Sequence, residues 1–192
     1  MLKAIKAGVL TVALAAAMLF TSCAGKGPEL EEIKGRVEEL VSASCELNAI
    51  YYGEGLPVIT ESYTGTDYYF VDVEKSNYDS MDSLKEATSA VYTSDYCEGI
   101  FETMFVGISN DIGAILPRFT EGDGGVLMQD KYLKNILPGD REFLFDTMTI
   151  EKSSKNRVTV RISATLNGEK DEDAVIELRL EKGVWLLDSP TY

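Results

Sequence analysis

The last third of the chain carries the feature that most restricts its fold. From residue 157 to residue 166 polar and apolar side chains alternate, and the apolar ones are Val158, Val160, Ile162, Ala164 and Leu166. A period of two is typical of a β-strand that buries one of its faces. We therefore predict a strand here, with an apolar face that another part of the fold must cover.

Three further strands are predicted around this one. Residues 174–181 alternate in the same way, residues 184–187 are mostly apolar, and residues 143–150 precede the first strand. Asn167-Gly168 and Lys182-Gly183 supply glycine-containing turns of the kind that join antiparallel neighbours. Together the four strands predict a curved antiparallel meander.

A long amphipathic helix is predicted between Pro28 and Gly53. Pro is favoured at the first helical position and Gly just past a helix end, while Glu29, Glu31 and Glu32 stand where the helix dipole favours acids. The side chains that recur at helical spacing are Ile33, Val37, Leu40, Val41, Ser44, Leu47 and Tyr51. This spacing indicates a helix face packed on a sheet, and not a ligand site.

Two shorter helices are predicted in the middle of the chain. Asp79 or Ser80 would cap the first, and the Thr93-Ser94-Asp95 segment would cap the second. Their apolar stripes are Met81, Leu84, Thr88 and Val91 in the first, and Cys97, Ile100, Phe101, Met104, Phe105 and Ile108 in the second. A loop and a strand that ends near Val73 are expected before them.

These elements predict a single α+β domain over residues 28–192. In it, the N-terminal helix and the two middle helices pack on a curved antiparallel sheet of four or more strands. The 170 residues that follow residue 22 are enough to build one hydrophobic core.

The first 22 residues have the three parts of a secretory signal. Lys3 and Lys6 precede an apolar run, Ala7–Phe20, and the small residues Thr21 and Ser22 follow it. The run is too short for a comfortable membrane-spanning helix.

The Leu19-Phe20-Thr21-Ser22-Cys23 segment resembles a bacterial lipobox, which implies that Cys23 receives diacylglycerol and becomes the new N-terminus. We therefore expect an exported protein, lipid-anchored to the extracytoplasmic face of the bacterial membrane, with residues 23–27 as a tether. The alternative is an ordinary cleaved signal with an incidental Cys.

The chain is strongly acidic. Its formal charge is −14, and the first 22 residues hold two Lys and no acid, so the remainder has 16 basic and 32 acidic side chains and a charge of −16. Such a surface is repelled by phosphate backbones and by anionic headgroups. The charge argues against nucleic acid as a partner, and it leaves the lipid as the route to the membrane.

The composition excludes several kinds of catalytic site. The chain has no His, which removes catalytic triads, His general bases and the usual zinc sites. Two carboxylate pairs remain as candidates, Glu121 with Asp123 and Asp79 with Asp82. Acids at turns and caps bind backbone amides far more often than they catalyse reactions. We therefore expect no enzymatic activity, no cofactor and no metal site.

The hairpin signal over residues 118–129 is the best candidate for a contact with a partner. Glycine and acidic residues form its tip, and aromatic residues occur in it and earlier in the chain. The candidate contact residues are Phe119, Glu121, Gly122, Asp123, Gly124, Gly125, Tyr68 and Tyr69. Two plainer interpretations stand beside this one: the hairpin is only a turn, and the tyrosines between Tyr51 and Tyr96 serve only core packing.

The remaining two cysteines, Cys45 and Cys97, fall on or beside apolar helix faces. Outside the cytoplasm a disulfide between them is allowed. A core of this size does not require a disulfide for stability, so we expect two free thiols.

The order of elements resembles a known architecture. A long first helix, covering helices and a final meander that ends in Gly183-Val184-Trp185-Leu186-Leu187-Asp188-Ser189 is similar to the NTF2-like, or cystatin-like, α+β fold. Folds of this kind host many functions.

A narrower resemblance concerns the middle of the chain, from Glu46 to Gln129. The segments that carry it are Glu46-Leu47, Tyr51-Tyr52-Gly53, Asp82-Ser83-Leu84-Lys85, Thr93-Ser94-Asp95-Tyr96 and Glu121-Gly122-Asp123-Gly124-Gly125. Their order looks like that of the secreted inhibitors of cell-wall DL-endopeptidases. The resemblance implies a protein without catalytic activity that blocks a hydrolase by inserting a loop into its active-site cleft, and here the 122–125 loop would be inserted.

Two functions follow as expectations. The first is binding of a cell-wall hydrolase, or another envelope protein, by a lipoprotein that does not catalyse a reaction. The second is binding of a small ligand in a pocket between the helices and the sheet.

Overall fold

The computed structural model of the protein describes residues 26–61, 65–110 and 113–192. Its helices are α1 (Leu30–Tyr51), α2 (Met81–Val91) and α3 (Ser94–Phe101), and α3 continues into a π-helical turn, Glu102–Val106. Its strands are β1 (Val58–Ile59), β2 (Tyr68–Val71), β3 (Ile108–Asn110), β4 (Gly113–Ile115), β5 (Phe119–Glu121), β6 (Leu127–Asp130), β7 (Arg141–Ser153), β8 (Arg157–Leu166), β9 (Glu169–Lys170), β10 (Ala174–Glu181) and β11 (Val184–Leu187).

The predicted meander is confirmed as an antiparallel sheet with the strand order β11-β10-β8-β7, and β9 pairs with β8. Its two tight turns follow from local chemistry: the non-glycine residues Asn167 and Lys182 have φ values of 53° and 49°, and a glycine with positive φ follows each. Positive φ at both central residues is the condition for a type I′ hairpin turn. These turns therefore set the register of the strands that they join.

Helix α1 covers this sheet with the face that its periodicity predicts. All seven residues of the predicted stripe are buried. The helix begins later than expected, at Leu30, because Glu29 is its N-cap and exchanges hydrogen bonds with Glu32 in a capping box. Pro28 stands outside the helix, and its carbonyl accepts a hydrogen bond from Ser153 Oγ at 2.8 Å. The predicted tether therefore ends packed against the end of β7.

A second antiparallel sheet, with the order β1-β2-β6-β5, corrects the expectation of a single sheet. It forms because β2 pairs with β6, so that Tyr69 lies opposite Gln129. The predicted hairpin over residues 118–129 is present as β5 and β6, and its partner strand comes from far earlier in the chain. Strand β2 ends at Val71, and Val73, which was expected near its end, is exposed.

Helix α3 is shorter than its apolar stripe predicts. The helix ends at Phe101, the π-helical turn carries the chain to Val106, and Ile108 begins strand β3. Gly107 causes the change of direction, since its φ is +80° and a Cβ there would collide with the carbonyl oxygen of Ile115. The predicted helical position of Ile108 is therefore wrong.

One hydrophobic cluster includes residues of α1, α2, α3 and both larger sheets. Within it α1 and α2 bond to each other. Tyr51, at the end of α1, bonds through its hydroxyl to Thr88 Oγ1 at 2.7 Å and to Leu84 O at 3.5 Å, and Arg36, in the first half of α1, donates to the carbonyl of Ala90 at 3.4 Å. The first turn of α2 therefore lies near the end of α1.

Cys23 and the predicted secretory signal lie outside the described residues, as does Tyr63. Within the described ranges, no helix combines the length and the apolar character required to cross a membrane.

Candidate functional site

The tip of the β5–β6 hairpin stands clear of the body of the protein. Gly122 N donates to Val126 O at 2.9 Å and Gly125 N donates to Gly122 O at 3.0 Å, which closes the turn. Gly124 and Gly125 both have a φ of +77°, and a Cβ built on either would meet no atom within 4 Å. Asp123 is exposed. The tip is thus a narrow acidic loop that is open to solvent on its sides.

The base of this hairpin belongs to the core. Phe119 is 0% exposed, and its ring packs at 6.1 Å from Tyr51 and 6.2 Å from Phe105 between ring centroids. Leu127, on the other strand, is also fully buried. A side chain without accessible surface does not contact a partner, so the structure removes Phe119 from the predicted contact set. Burial at the base fixes the position from which the tip projects.

The two predicted contact tyrosines on β2 have different surroundings. Tyr68 is buried and its hydroxyl donates to Pro117 O at 2.8 Å. Burial also raises the pKa of Tyr68 above its usual value. Tyr69 is half-buried, and Lys131 Nζ lies 5.2 Å from the centre of its ring. Tyr68 is thus a structural residue, and Tyr69 retains a partly exposed ring.

Glu121 has a partner within the protein. Its Oε1 accepts a hydrogen bond from the backbone N–H of Met81 at 3.0 Å, at the first position of α2. A carboxylate in this place satisfies one of the free amides of the helix and interacts favourably with the helix dipole. Ser80 caps the same helix through Ser83 N. Of the predicted pair, Glu121 therefore has a structural role at the start of α2, and Asp123 is the exposed acid of the tip.

This division yields a stability prediction. Glu121→Ala removes an acceptor at the start of α2, and we expect it to lower the free energy of unfolding by roughly 0.5–1 kcal/mol. Asp123→Ala is the matched control, and we expect a change within about 0.5 kcal/mol. Urea unfolding of both variants measures the difference. Equal stabilities of the two variants would contradict the capping role of Glu121.

A small cavity lies between α1 and the segment that enters β7. Its volume is about 210 Å³, and it is lined by Cys45, Asn48, Ala49, Leu137, Pro138, Gly139, Asp140, Arg141, Phe143, Thr191 and Tyr192. Pockets for drug-sized ligands usually have volumes of about 300–1,000 Å³. Asn48 Nδ2 and Ser44 Oγ both bond to Thr191 Oγ1 at 2.8 Å, so buried polar groups hold one wall of the cavity in place.

Tyrosines pack together beside this cavity. The rings of Tyr52 and Tyr192 lie 4.6 Å apart, and those of Tyr92 and Tyr96 lie 4.9 Å apart. Burial raises the pKa of Tyr96 to about 12. Most of the described tyrosines between Tyr51 and Tyr96 are thus used in packing, which agrees with the plainer interpretation. Tyr192, which the sequence did not single out, is half exposed.

The two helical cysteines are free thiols, as expected, with Cys97 buried and Cys45 half-buried. Burial raises the pKa of both thiols, so neither is activated as a nucleophile. Across residues 26–61, 65–110 and 113–192, no group of three His, Cys, Asp or Glu side chains is placed to hold a metal ion.

In comparisons with known proteins, no protein-family model, no curated protein and no solved structure matched this chain.

Proposed function

We propose that the protein is an exported, lipid-anchored bacterial domain that binds another protein without catalysing a reaction, and that its partner is a cell-wall hydrolase of the DL-endopeptidase type. The observation that carries this proposal is the β5–β6 hairpin. Its tip is narrow, acidic and open to solvent, while its base is fixed in the core through Phe119 and Leu127. A loop held in this way enters a cleft with little loss of conformational entropy.

The fold supports the same proposal. The long first helix packs on a final antiparallel meander, and this arrangement resembles the NTF2-like, or cystatin-like, fold. We propose that the domain is of this type. Since such folds host many functions, the hairpin and not the fold carries the functional argument.

Small-ligand binding is the second candidate. This function requires a pocket between the helices and the sheet, and the cavity beside α1 lies in such a place. The volume of about 210 Å³ is suited to a ligand smaller than a drug-sized molecule. Its lining residues do not overlap with the hairpin tip, so the two functions can be tested separately.

The test is inhibition of a purified DL-endopeptidase, measured by release of peptides from cell-wall fragments. We expect residues 24–192 to inhibit, and Asp123→Lys to raise the inhibition constant about tenfold, which corresponds to about 1.4 kcal/mol of binding free energy. Glu172→Lys is the matched control, because Glu172 is an exposed acid in a different connection, the one between β9 and β10. We expect no change in this control.

Ala49→Leu, which adds bulk at the wall of the cavity, separates the two candidate functions. Protein binding through the tip predicts unchanged inhibition by this variant. Absence of inhibition by the wild-type domain would overturn the hydrolase proposal.

A further inference from the structure

One buried side-chain amide at the cavity beside α1 has an oxygen that no hydrogen bond uses. Asn48 is 5% exposed and lies on the wall of this cavity. Its Nδ2 donates to Thr191 Oγ1 at 2.8 Å, and no donor in the part of the chain that the structure describes bonds to its Oδ1. This oxygen is not among the fully enclosed unpaired atoms of that part, so it is reached from open space. Buried polar atoms are rarely left unpaired in native proteins, and an unpaired one at a cavity wall therefore indicates a ligand.

The hydrogen bonds around Thr191 fix which side of the Asn48 amide remains free. Ser44 Oγ donates to Val41 O at 2.7 Å, so its single hydrogen is used. Thr191 Oγ1, 2.8 Å away, must then donate its own hydrogen to Ser44 Oγ, and it can only accept from Asn48. Asn48 therefore turns its NH2 group to Thr191. Its oxygen and its second N–H remain for another group.

The size and the walls of the cavity restrict the ligand further. One water molecule occupies about 30 Å³ in the liquid, so a cavity of about 210 Å³ has room for roughly seven non-hydrogen atoms. Leu137, Pro138 and Phe143 add apolar surface to the lining. An apolar wall with a few placed polar groups is typical of small-molecule sites. The cavity thus suits a small molecule that has both an apolar part and a polar group.

The charged side chains at the cavity favour a neutral ligand. Arg141 lines the cavity, but its Nε lies 3.2 Å from Asp171 Oδ2 and its Nη2 donates to Glu172 O at 3.1 Å, so its charge is balanced within the protein. The other charged side chain of the lining, Asp140, is exposed. A carboxylate ligand would face the oxygen of Asn48, and an ammonium ligand would lie beside the guanidinium of Arg141. Transfer of either ion from water is costly without a free opposite charge.

We propose that the cavity beside α1 binds a small neutral amide and that Asn48 recognises it. The N–H of the ligand donates to Asn48 Oδ1, and the carbonyl of the ligand accepts the second N–H of Asn48. An amide offers this donor and this acceptor on one planar group, and its apolar part packs on Leu137, Pro138 and Phe143. This inference rests on the small-ligand candidate function, and it does not depend on the hairpin tip.

The test is a nuclear magnetic resonance titration of the isotope-labelled full chain, held in detergent micelles, with three probes of equal size. Isobutyramide, isobutyrate and methyl isopropyl ketone carry an amino group, a carboxylate oxygen and a methyl group, respectively, at the same carbonyl carbon. We expect isobutyramide to shift the side-chain NH2 signals of Asn48. We also expect its dissociation constant to be at least about tenfold lower than those of the other two probes, because only the amide donates a hydrogen bond to Asn48 Oδ1.

Two leucine variants locate the site. Ala49→Leu adds bulk at the wall of the cavity, and we expect it to abolish the shift of the Asn48 signals. Ala90→Leu is the matched control, because it makes the same change at an exposed position of α2 that does not line the cavity. We expect this control to bind isobutyramide as the wild type does. Unchanged binding by the Ala49→Leu protein would place the site elsewhere and overturn the proposal.

The other outcomes overturn the recognition by Asn48. Equal binding of isobutyramide and the ketone would leave a cavity that accepts small apolar molecules without regard to their polar group. Tighter binding of isobutyrate would assign recognition to Arg141. Absence of binding by all three probes would remove the small-ligand candidate as well. The hydrolase proposal is decided separately, because inhibition of the endopeptidase is measured without these probes.

Discussion

Replacing Cys23 by Ala is expected to abolish the incorporation of labelled palmitate and to move the protein from the membrane fraction to the soluble fraction. This is the largest effect that we expect from a single change. In the predicted lipobox the thiol of Cys23 is the group that receives diacylglycerol, and Ala has no such group. Each buried methylene contributes about 0.8 kcal/mol to membrane binding, and two acyl chains make the anchor stable where one is marginal.

No other part of the chain is expected to replace this anchor. The apolar run Ala7–Phe20 is shorter than the roughly 20 residues that a spanning helix needs. The charge of −16 that follows it is repelled by anionic headgroups.

Cys45→Ala is the matched control for lipidation. It removes a half-buried thiol of α1, and we expect both labelling and membrane association to be unchanged. Palmitate label that persists in the Cys23→Ala protein would show that the lipobox interpretation is wrong. Loss of label in both variants would point to a general failure of export instead.

The second large effect is expected from Phe119→Ala. Phe119 is fully buried between Tyr51 and Phe105, and removal of a buried phenylalanine ring leaves a cavity that costs about 3–5 kcal/mol. Such a loss is a large share of the 5–15 kcal/mol that typically stabilises a domain. The measurement is the midpoint of urea unfolding, with the slope of the transition used to check that unfolding stays two-state.

Val126→Ala is the control on the same hairpin. Val126 is 42% exposed, and we expect its truncation to change the free energy of unfolding by less than about 0.5 kcal/mol. A Phe119→Ala protein with normal stability and weakened partner binding would restore Phe119 to the contact surface. The pair of variants therefore decides whether this ring belongs to the core or to the site.

Most of the local structure was predictable, because periodicity and turn chemistry act over a few residues. The stripe of α1, the alternation of β8 and β10, the turns at Asn167 and Lys182, and the Ser80 cap of α2 are all readable in this way. Each rests on neighbours within about five positions. The glycine tip between β5 and β6 was predictable for the same reason.

What only the tertiary structure decided depends on contacts between distant segments. Strand β5 has three residues, too few for alternation to show which side chain points inward, so the burial of Phe119 follows only from its packing against α1. The pairing of β2 with β6 and the bond from Met81 N to Glu121 join segments that are separated by 40 residues or more. The sequence by itself determined most of the elements and the faces that they bury. Long-range packing determined that Glu121 bonds to the start of α2 and that the ring of Phe119 is buried.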